Sequence, residues 1–392
     1  MKALLSVIIA YLLFFNCSSD VDVQTAEMQT PLTDVLTLEL SFGAEEERLK
    51  SEFLLAIPYG IAGNDDGDIF VTDENKVKIF NADGEEKMIL GGEGQGPGEF
   101  IAVHNPFTSP TGFLTVNFGY DGNSFNIYSP DYKFVKKLNF RNLPSNSEIK
   151  KRYSYSGIVF LYSQFFLTKF VSINEEERVY TANAWKRKSD NTRQMFDILV
   201  YDKPDTTLLL AEYTATRISS SFGGELLFVV LPDRRILYTH TGHDRIIESD
   251  KSTYILHVFS MDNYTTSNIR NTYTPVEIPK SQMEGWEEFL EEMRIENFFK
   301  ENKYYASLQK LLIDEYTLFA LTNKNNEKDE ILTDVFDLQT GTYLKSIYLP
   351  SCFNYRFEEI VIKKGYAYVI NKNEEGFNVI EKYKIDPAVY GK

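Results

Sequence analysis

Four histidines stand in 392 residues, and only His240 and His243, in His240-Thr241-Gly242-His243-Asp244, lie close enough in sequence to share a task. Two imidazoles three apart beside a carboxylate could ligate a metal. The stretch reads as a turn between strands, however, where the helical geometry that brings i and i+3 together is missing, and no third histidine is near. A hydrogen-bonded turn is the reading the residues favour. Asn64-Asp65-Asp66-Gly67-Asp68 crowds three carboxylates into five residues, but it lacks the spacing and distal Glu of an EF-hand loop. A hairpin turn explains it. Cys352, in Pro350-Ser351-Cys352-Phe353, carries no reactive signature, and no Gly-x-Ser-x-Gly elbow occurs. The run Gly91-Gly92-Glu93-Gly94-Gln95-Gly96-Pro97-Gly98-Glu99-Phe100 suggests a phosphate cradle. It lacks the Gly-Lys-Ser/Thr ending, and His104-Asn105-Pro106 blocks the helix that should follow. These motifs predict no catalytic residue, no metal and no cofactor.

The elements that would position such residues are strands. Val35–Leu40 has strand character, and after the charged break at Glu45–Lys50 a four-part unit follows. Ile57–Ile61 and Asp68–Thr72 flank the Asn64–Gly67 turn, and Val77–Phe80 and Glu85–Leu90 flank Ala82-Asp83-Gly84. Asp-Gly between strand-formers is a strong hairpin signal. The unit recurs. An aromatic closes the third strand and an Asp follows three residues on: Phe80 and Asp83, Tyr128 and Asp131, Phe259 and Asp262, Tyr383 and Asp386. Looser copies sit at Tyr201 with Asp205 and at Phe336 with Thr340-Gly341. The aromatics are 48, 73, 58, 77 and 47 residues apart. Intervals near 47 suit one four-stranded propeller blade, and the longer ones imply insertions. The fold class expected is all-β: a six-bladed β-propeller of four-stranded blades over residues 33–392, closed by Val35–Leu40 pairing near Phe377–Ile385. A β-sandwich or two barrels with coincidental turns is the alternative.

With these motifs quoted, a resemblance can be stated. Ile69-Phe70-Val71-Thr72-Asp73 and Ile79-Phe80-Asn81-Ala82-Asp83-Gly84 resemble NHL-type blades. The Gly94-Gln95-Gly96-Pro97-Gly98-Glu99-Phe100 loop resembles that of six-bladed β-propeller lipoproteins of Bacteroides-type bacteria. The resemblance implies the fold and leaves the activity open.

The amino terminus points to export. Lys2 precedes an apolar run, Ala3–Phe15, of thirteen residues, short of the ~20 needed to span a bilayer. Residues 1–16 therefore read as a signal peptide. Cys17 directly after the run resembles the lipidated cysteine of a lipobox, with Phe14 and Asn16 departing from the usual pattern. Asp20 and Asp22 resemble the acidic surface-export signal of Bacteroides-type lipoproteins. The location expected is the outer membrane, with the protein held there by a lipid on Cys17 and facing the periplasm or the cell surface. Residues 17–32 would serve as the tether. With Cys17 lipidated, Cys352 has no disulfide partner. The formal charge of −16 becomes one unit more negative when Lys2 leaves. Such a surface repels phosphate backbones, which argues against nucleic acid as a partner.

One insertion, about 280–302, is helical. Ser281-Gln282-Met283-Glu284 has the form of a capping box, and Trp286, Phe289, Leu290 and Met293 repeat at helical spacing. The helix would either cover apolar surface or act as a lid. By this strand assignment Glu93–Glu99, Tyr120–Asn123, His240–Arg245 and the Trp286 insertion share one face of the propeller. Gln95, Tyr120, Asp121, His243 and Arg245 are the candidate ligand contacts there. Arg245 either grips a ligand carboxylate or neutralises a neighbouring Asp or Glu such as Glu99. Three functions fit such a propeller: a non-catalytic binder of a peptide, glycan or envelope protein, a structural subunit, or a hydrolase or lyase with a metal near the axis.

Overall fold

Asn64 shows how the strands are cut to length. Its Oδ1 accepts the N–H groups of Asp66 (3.1 Å) and Asp68 (2.8 Å). The N–H of Gly67 returns to the Asn64 carbonyl (3.1 Å), and Gly67 takes φ +95°, a conformation that costs glycine nothing. Asn81, Asn326 and Asn373 repeat the device with Gly84, Asp329 and Gly376 at the left-handed position. Ser109 and Ser129 do so through their hydroxyls. Each such turn reverses the chain and sets its flanking strands antiparallel.

The computed structural model of the protein describes residues 20–21, 30–44, 52–119, 124–139, 169–187, 193–215, 220–248, 252–292, 298–350 and 360–392. Its strands form six blades, written here from the innermost strand outward. Blade 1 is Pro58–Gly63, Ile69–Asp73, Lys76–Phe80 and Glu86–Gly91; blade 2 is Val103–Thr108, Leu114–Phe118, Ser124–Tyr128 and Phe134–Asn139. Blade 3 is Phe170–Ser172, Arg178–Arg187, Arg193–Lys203 and Thr206–Thr214. Blade 4 is Leu226–Val230, Arg235–His240, Ser252–Ser260 and Thr266–Tyr273, with Arg245–Ile246 paired alongside its third strand. Blade 5 is Leu308–Asp314, Thr317–Asn325, Ile331–Asp337 and Thr342–Leu349. Blade 6 is Ile360–Lys363, Tyr366–Lys372, Asn378–Ile385 and, from the other end of the chain, Leu36–Phe42. That last strand pairs antiparallel with Asn378–Ile385, Leu36 opposite Ile385 and Phe42 opposite Ile380, the closure expected from Val35–Leu40. It removes the open edge that a last blade of three strands would leave.

Middle strands are buried at nearly every position, as in Ile69–Asp73 and Ser124–Tyr128, because a neighbouring blade covers each face. The repeated aromatics fill the seams. Phe70 meets Tyr132 between blades 1 and 2, Phe125 stacks on Phe170 between 2 and 3, and Tyr201 meets Phe259 between 3 and 4. Tyr254 meets Phe336 between blades 4 and 5, and Phe42 meets Phe80 between 6 and 1. Ring pairs at such spacings contribute about 0.5–1.5 kcal/mol beyond burial.

Two local expectations change. The inserted helix is Lys280–Glu292, and the Pro279 carbonyl accepts from Gln282 (2.9 Å) and Met283 (3.1 Å). Ser281 therefore lies inside the first turn and is not the N-cap. The segment read as a tether is paired at two points. Asp20–Val21 adds parallel to the outer edge of blade 4, and Leu32 exchanges hydrogen bonds with Ser346 and Tyr348 on blade 5.

Candidate functional site

The six innermost strands surround an axial channel with a cavity of about 210 Å³. In a four-stranded antiparallel blade, the start of the first strand, the second-to-third turn and the end of the fourth strand share one end. We call this end of the channel the entry face. The connection Gly91–Phe100, the His240–Arg245 turn and the described residues 274–292 and 298–307 all lie on it.

Glu225 heads the innermost strand of blade 4 and lines the channel with Lys169, Thr181, Gln309 and Lys310. Its N–H donates to Thr241 Oγ1 (3.0 Å) and its carbonyl accepts from the Thr241 N–H (2.9 Å). Burial, and then repulsion from the Asp197 carboxylate, push the Glu225 carboxyl up to about 7, against the pull of Lys310 and a hydrogen bond from Ser220. Asp197 is itself gripped by His240 Nε2 (3.2 Å) and by Asn183 Nδ2. On the other side of its ring, His240 Nδ1 accepts the N–H groups of Gly242 and His243 (3.2 Å each). These two backbone donors assign the ring proton to Nε2. Both ring nitrogens are therefore engaged, and His240 has none left to activate a nucleophile.

The rest of the His240–Asp244 turn is held as firmly. Asp244 accepts from the His240 N–H (2.7 Å) and from Tyr213 Oη, and lies 3.2 Å from His257 Nε2. Burial opposes ionisation of Asp244, but His257, the His240 N–H and Tyr213 outweigh it and hold the carboxyl below the usual range. His243 is exposed, stacks on Tyr213 and donates from Nε2 to the Thr214 carbonyl (2.8 Å). The partial covering of its ring by its neighbours, and then the nearby His240, lower its pKa. Among the described residues, no group of three or more His, Cys, Asp and Glu is arranged to hold a metal. In the Asn64–Asp68 turn, the Asp65 carboxylate is taken by Lys363 and that of Asp68 by Lys87 with Tyr132.

Of the candidate ligand contacts, Gln95 is exposed on the entry face within a loop held by its own chain. Phe100 is fully buried in the seam of blades 1 and 2, Gly96 N–H donates to Glu99 Oε2 (2.7 Å), and Tyr128 Oη donates to the Gly98 carbonyl (2.9 Å). A Cβ on Gly91 would lie 2.2 Å from the Phe100 ring, so glycine is required there. Arg245 donates to the carbonyls of Gly242 (3.1 Å) and Tyr305. It thus ties the His240–Asp244 turn to the inserted segment through carbonyl oxygens, whereas Glu99 is turned to its own loop. Tyr120 and Asp121 lie outside the described residues, as do Cys17 and Cys352. His243 and Arg245 share one turn; Gln95 lies two blades away on the same face. The inserted helix packs Trp286 and Leu290 onto Phe222 beside the channel mouth, with Phe298, Phe299 and Tyr305.

Glu225 and Asp197 did not figure among the sequence candidates. The one signal was a lone carboxylate between Gly223-Gly224 and the apolar run Leu226–Val230. Also unforeseen were exposed apolar side chains on this face. Asn378 Nδ2 donates to the Ala56 carbonyl (2.9 Å) and gathers Ile57, Tyr59 and Phe377 at the seam of blades 6 and 1. Ile57 is 59% exposed. Ile246 and Ile247 stand exposed on blade 4, across the ring.

This architecture defines a six-bladed β-propeller. No family model and no curated protein matches the chain. Among solved structures, a Bacteroides fragilis protein presumed to be exported is similar with a TM-score of 0.50 at 11% identity, over 94% of this chain and 99% of that one. Citrobacter koseri AztD (TM-score 0.36, 10% identity, 85% and 88% covered) and a Bacteroides caccae protein of unknown function (0.33, 10%, 74% and 81%) are also similar. At these identities the likeness shows the fold alone. No helix among the described residues is long and apolar enough to cross a membrane.

Proposed function

We propose that this protein is a non-catalytic binding propeller of the bacterial envelope, anchored by a lipid on Cys17, that grips a peptide, glycan or protein partner across its entry face. The observation that carries the reading is the exposure of Ile57, Tyr59 and Phe377 on one side of the channel mouth and of Ile246 and Ile247 on the other. Apolar side chains grouped on the loop face of a rigid scaffold mark an interaction surface. Since Asp20 pairs with the outer edge of blade 4, a lipid three residues upstream would hold the ring by its wall and leave the face open.

A photo-crosslinking residue at Tyr59 or Phe377, in cells of a Bacteroides-type host, is expected to trap a discrete partner. One at Met88, exposed on the outer strand of blade 1, is expected to trap none. Equal yields from all three positions would remove the case for the entry face. The anchor is tested separately: Cys17→Ala should move the protein from the membrane to the soluble fraction, and unchanged fractionation would rule the lipid out.

A further inference from the structure

Blade 3 is taller than blade 1: its second and third strands have 10 and 11 residues against 5 and 5. Its first strand begins opposite Tyr180 and its fourth ends opposite Phe196, yet the two middle strands run on together to Arg187 opposite Arg193. The excess is a two-stranded ribbon, Ala184–Arg187 with Arg193–Phe196, standing beyond the ring on the entry face. In a chain of formal charge −16, these stretches carry Lys186, Arg187 and Arg193 and no carboxylate. Arg187 directly opposite Arg193 is a like-charge pairing that works against the ribbon, and an anion held there would relieve it. The nearest carboxylates in register are Asp197, met by Asn183 and His240, and Glu212, opposite Ile198 on the fourth strand. The foot of the ribbon is bonded to its surroundings. The Met195 carbonyl accepts the Ala215 N–H (3.0 Å), Asp197 accepts from His240 Nε2 (3.2 Å), and the Thr214 carbonyl accepts from His243 Nε2 (2.8 Å). The blade 4 turn so docked leads directly into Ile246 and Ile247, which are 46% and 40% exposed.

Cations beside exposed aliphatic side chains complement carboxylates beside aliphatic ones. We propose that the blade 3 ribbon and Ile246–Ile247 together bind an acidic polypeptide segment of a protein partner, its Asp or Glu at the ribbon and its Leu, Ile or Val on the isoleucines. The inference deepens the reading of the entry face as a binding face and rests on it. A glycan of uronic acids would meet the cations but has no aliphatic group for Ile246 and Ile247. An anionic membrane would offer both, but a chain anchored at Cys17 comes from the wrong end. Thr266–Tyr273 runs toward the entry face and Asp20–Val21 pairs parallel with it. The anchored chain therefore joins blade 4 from the opposite end and holds the entry face away from the bilayer.

The test is fluorescence anisotropy of a labelled, capped peptide of three Glu followed by three Leu. It is titrated with the full chain held in zwitterionic lipid nanodiscs, empty discs serving as the blank. Binding should weaken roughly tenfold between ~0.05 M and ~0.5 M salt, because exposed charges are screened beyond a Debye length. Arg187→Ser with Arg193→Ser should weaken low-salt binding by about the same factor and remove the salt dependence. Ile246→Ser with Ile247→Ser should weaken binding and leave the salt dependence intact, a split that general damage to the fold would not give. Lys186→Ser alone, expected to lower the salt dependence in part, carries the charge side of the test should the double arginine variant fail to fold. No binding by the unaltered chain, a salt dependence that survives the loss of both arginines, or equal binding of a peptide with Gln for Glu would overturn the proposal. Polygalacturonate or phosphatidylglycerol vesicles binding as tightly as the peptide, and unaffected by the isoleucine changes, would overturn it in favour of a glycan or a membrane. Crosslinking from Tyr59 and Phe377, on the other side of the mouth, does not depend on these titrations, so the two readings fail separately.

Discussion

An Asp73→Ala chain is expected to lose about 3–5 kcal/mol of stability, the range for breaking one side of a buried ion pair. Asp73 and Lys78 are buried to 0% and 1% side-chain exposure on adjacent strands of blade 1, with Lys78 Nζ on Asp73 Oδ2. The carboxylate does more than neutralise the lysine. Its Oδ2 accepts the Ala56 N–H (3.0 Å) and its Oδ1 the Ile57 N–H (2.6 Å), while Lys78 also donates to the Leu54 carbonyl. Removing Asp73 leaves a buried ammonium and two amide groups without their acceptor. Removing the cation by Lys78→Met leaves the carboxylate with two backbone donors, so its cost should be smaller, about 1–3 kcal/mol. Denaturant midpoints of the two variants measure the difference. The reverse order would mean that the amide bonds to Asp73 add little. The segment so held presents Ile57, so Asp73→Ala should also abolish crosslinking from Tyr59.

The division between what could and could not be read from residues follows from distance along the chain. The Asn64–Gly67 and Asn81–Gly84 turns were legible because an Asx turn closes within five residues, and its glycine needs φ above zero. The aromatic and Asp repeat was legible because every blade must fill the same seam, and Phe80, Tyr201, Phe259 and Phe336 all do so. The Gly91–Phe100 loop was legible as turn chemistry, though its reason, the Phe100 ring against Gly91, is a packing fact. The corner of Asp197, Glu225 and Lys310 was not legible. Its members sit on three blades, and their nearness depends on how blades nest around the axis, which no local pattern records. Arg245 shows the same limit from the other side. A fixed cation in an acidic chain suggested a carboxylate partner, but an inserted segment 59 residues on brings it carbonyl oxygens instead. Exposed Ile57 and Phe377 were likewise invisible, since apolar residues within strand-like stretches read as core.

Ring closure should be the other point of large effect. Phe42 ends the strand that completes blade 6, is 3% exposed, and its ring centroid lies 5.2 Å from that of Phe80 in blade 1. The fit leaves no slack on the blade 1 side: a Cβ on Gly84 would lie 2.8 Å from the Phe42 ring, and Gly84 is held at φ +77° by the Asn81 turn. A cavity made there cannot be refilled by the turn without breaking the bonds to Asn81 Oδ1. Phe42→Ala is therefore expected to cost about 3–5 kcal/mol, the upper range for a core aromatic whose surroundings cannot collapse. Leu38, on the same strand but 51% exposed, sets the scale: Leu38→Ala should stay within about 0.5 kcal/mol. Hydrogen exchange locates the damage. In Phe42→Ala, protection should fall first in Leu36–Phe42 and its partner Asn378–Ile385, because their pairing alone joins the two ends of the chain within one blade. Loss spread evenly over all six blades would instead mean that the propeller unfolds as one unit from any seam, and that the closure strand is no weaker than the rest.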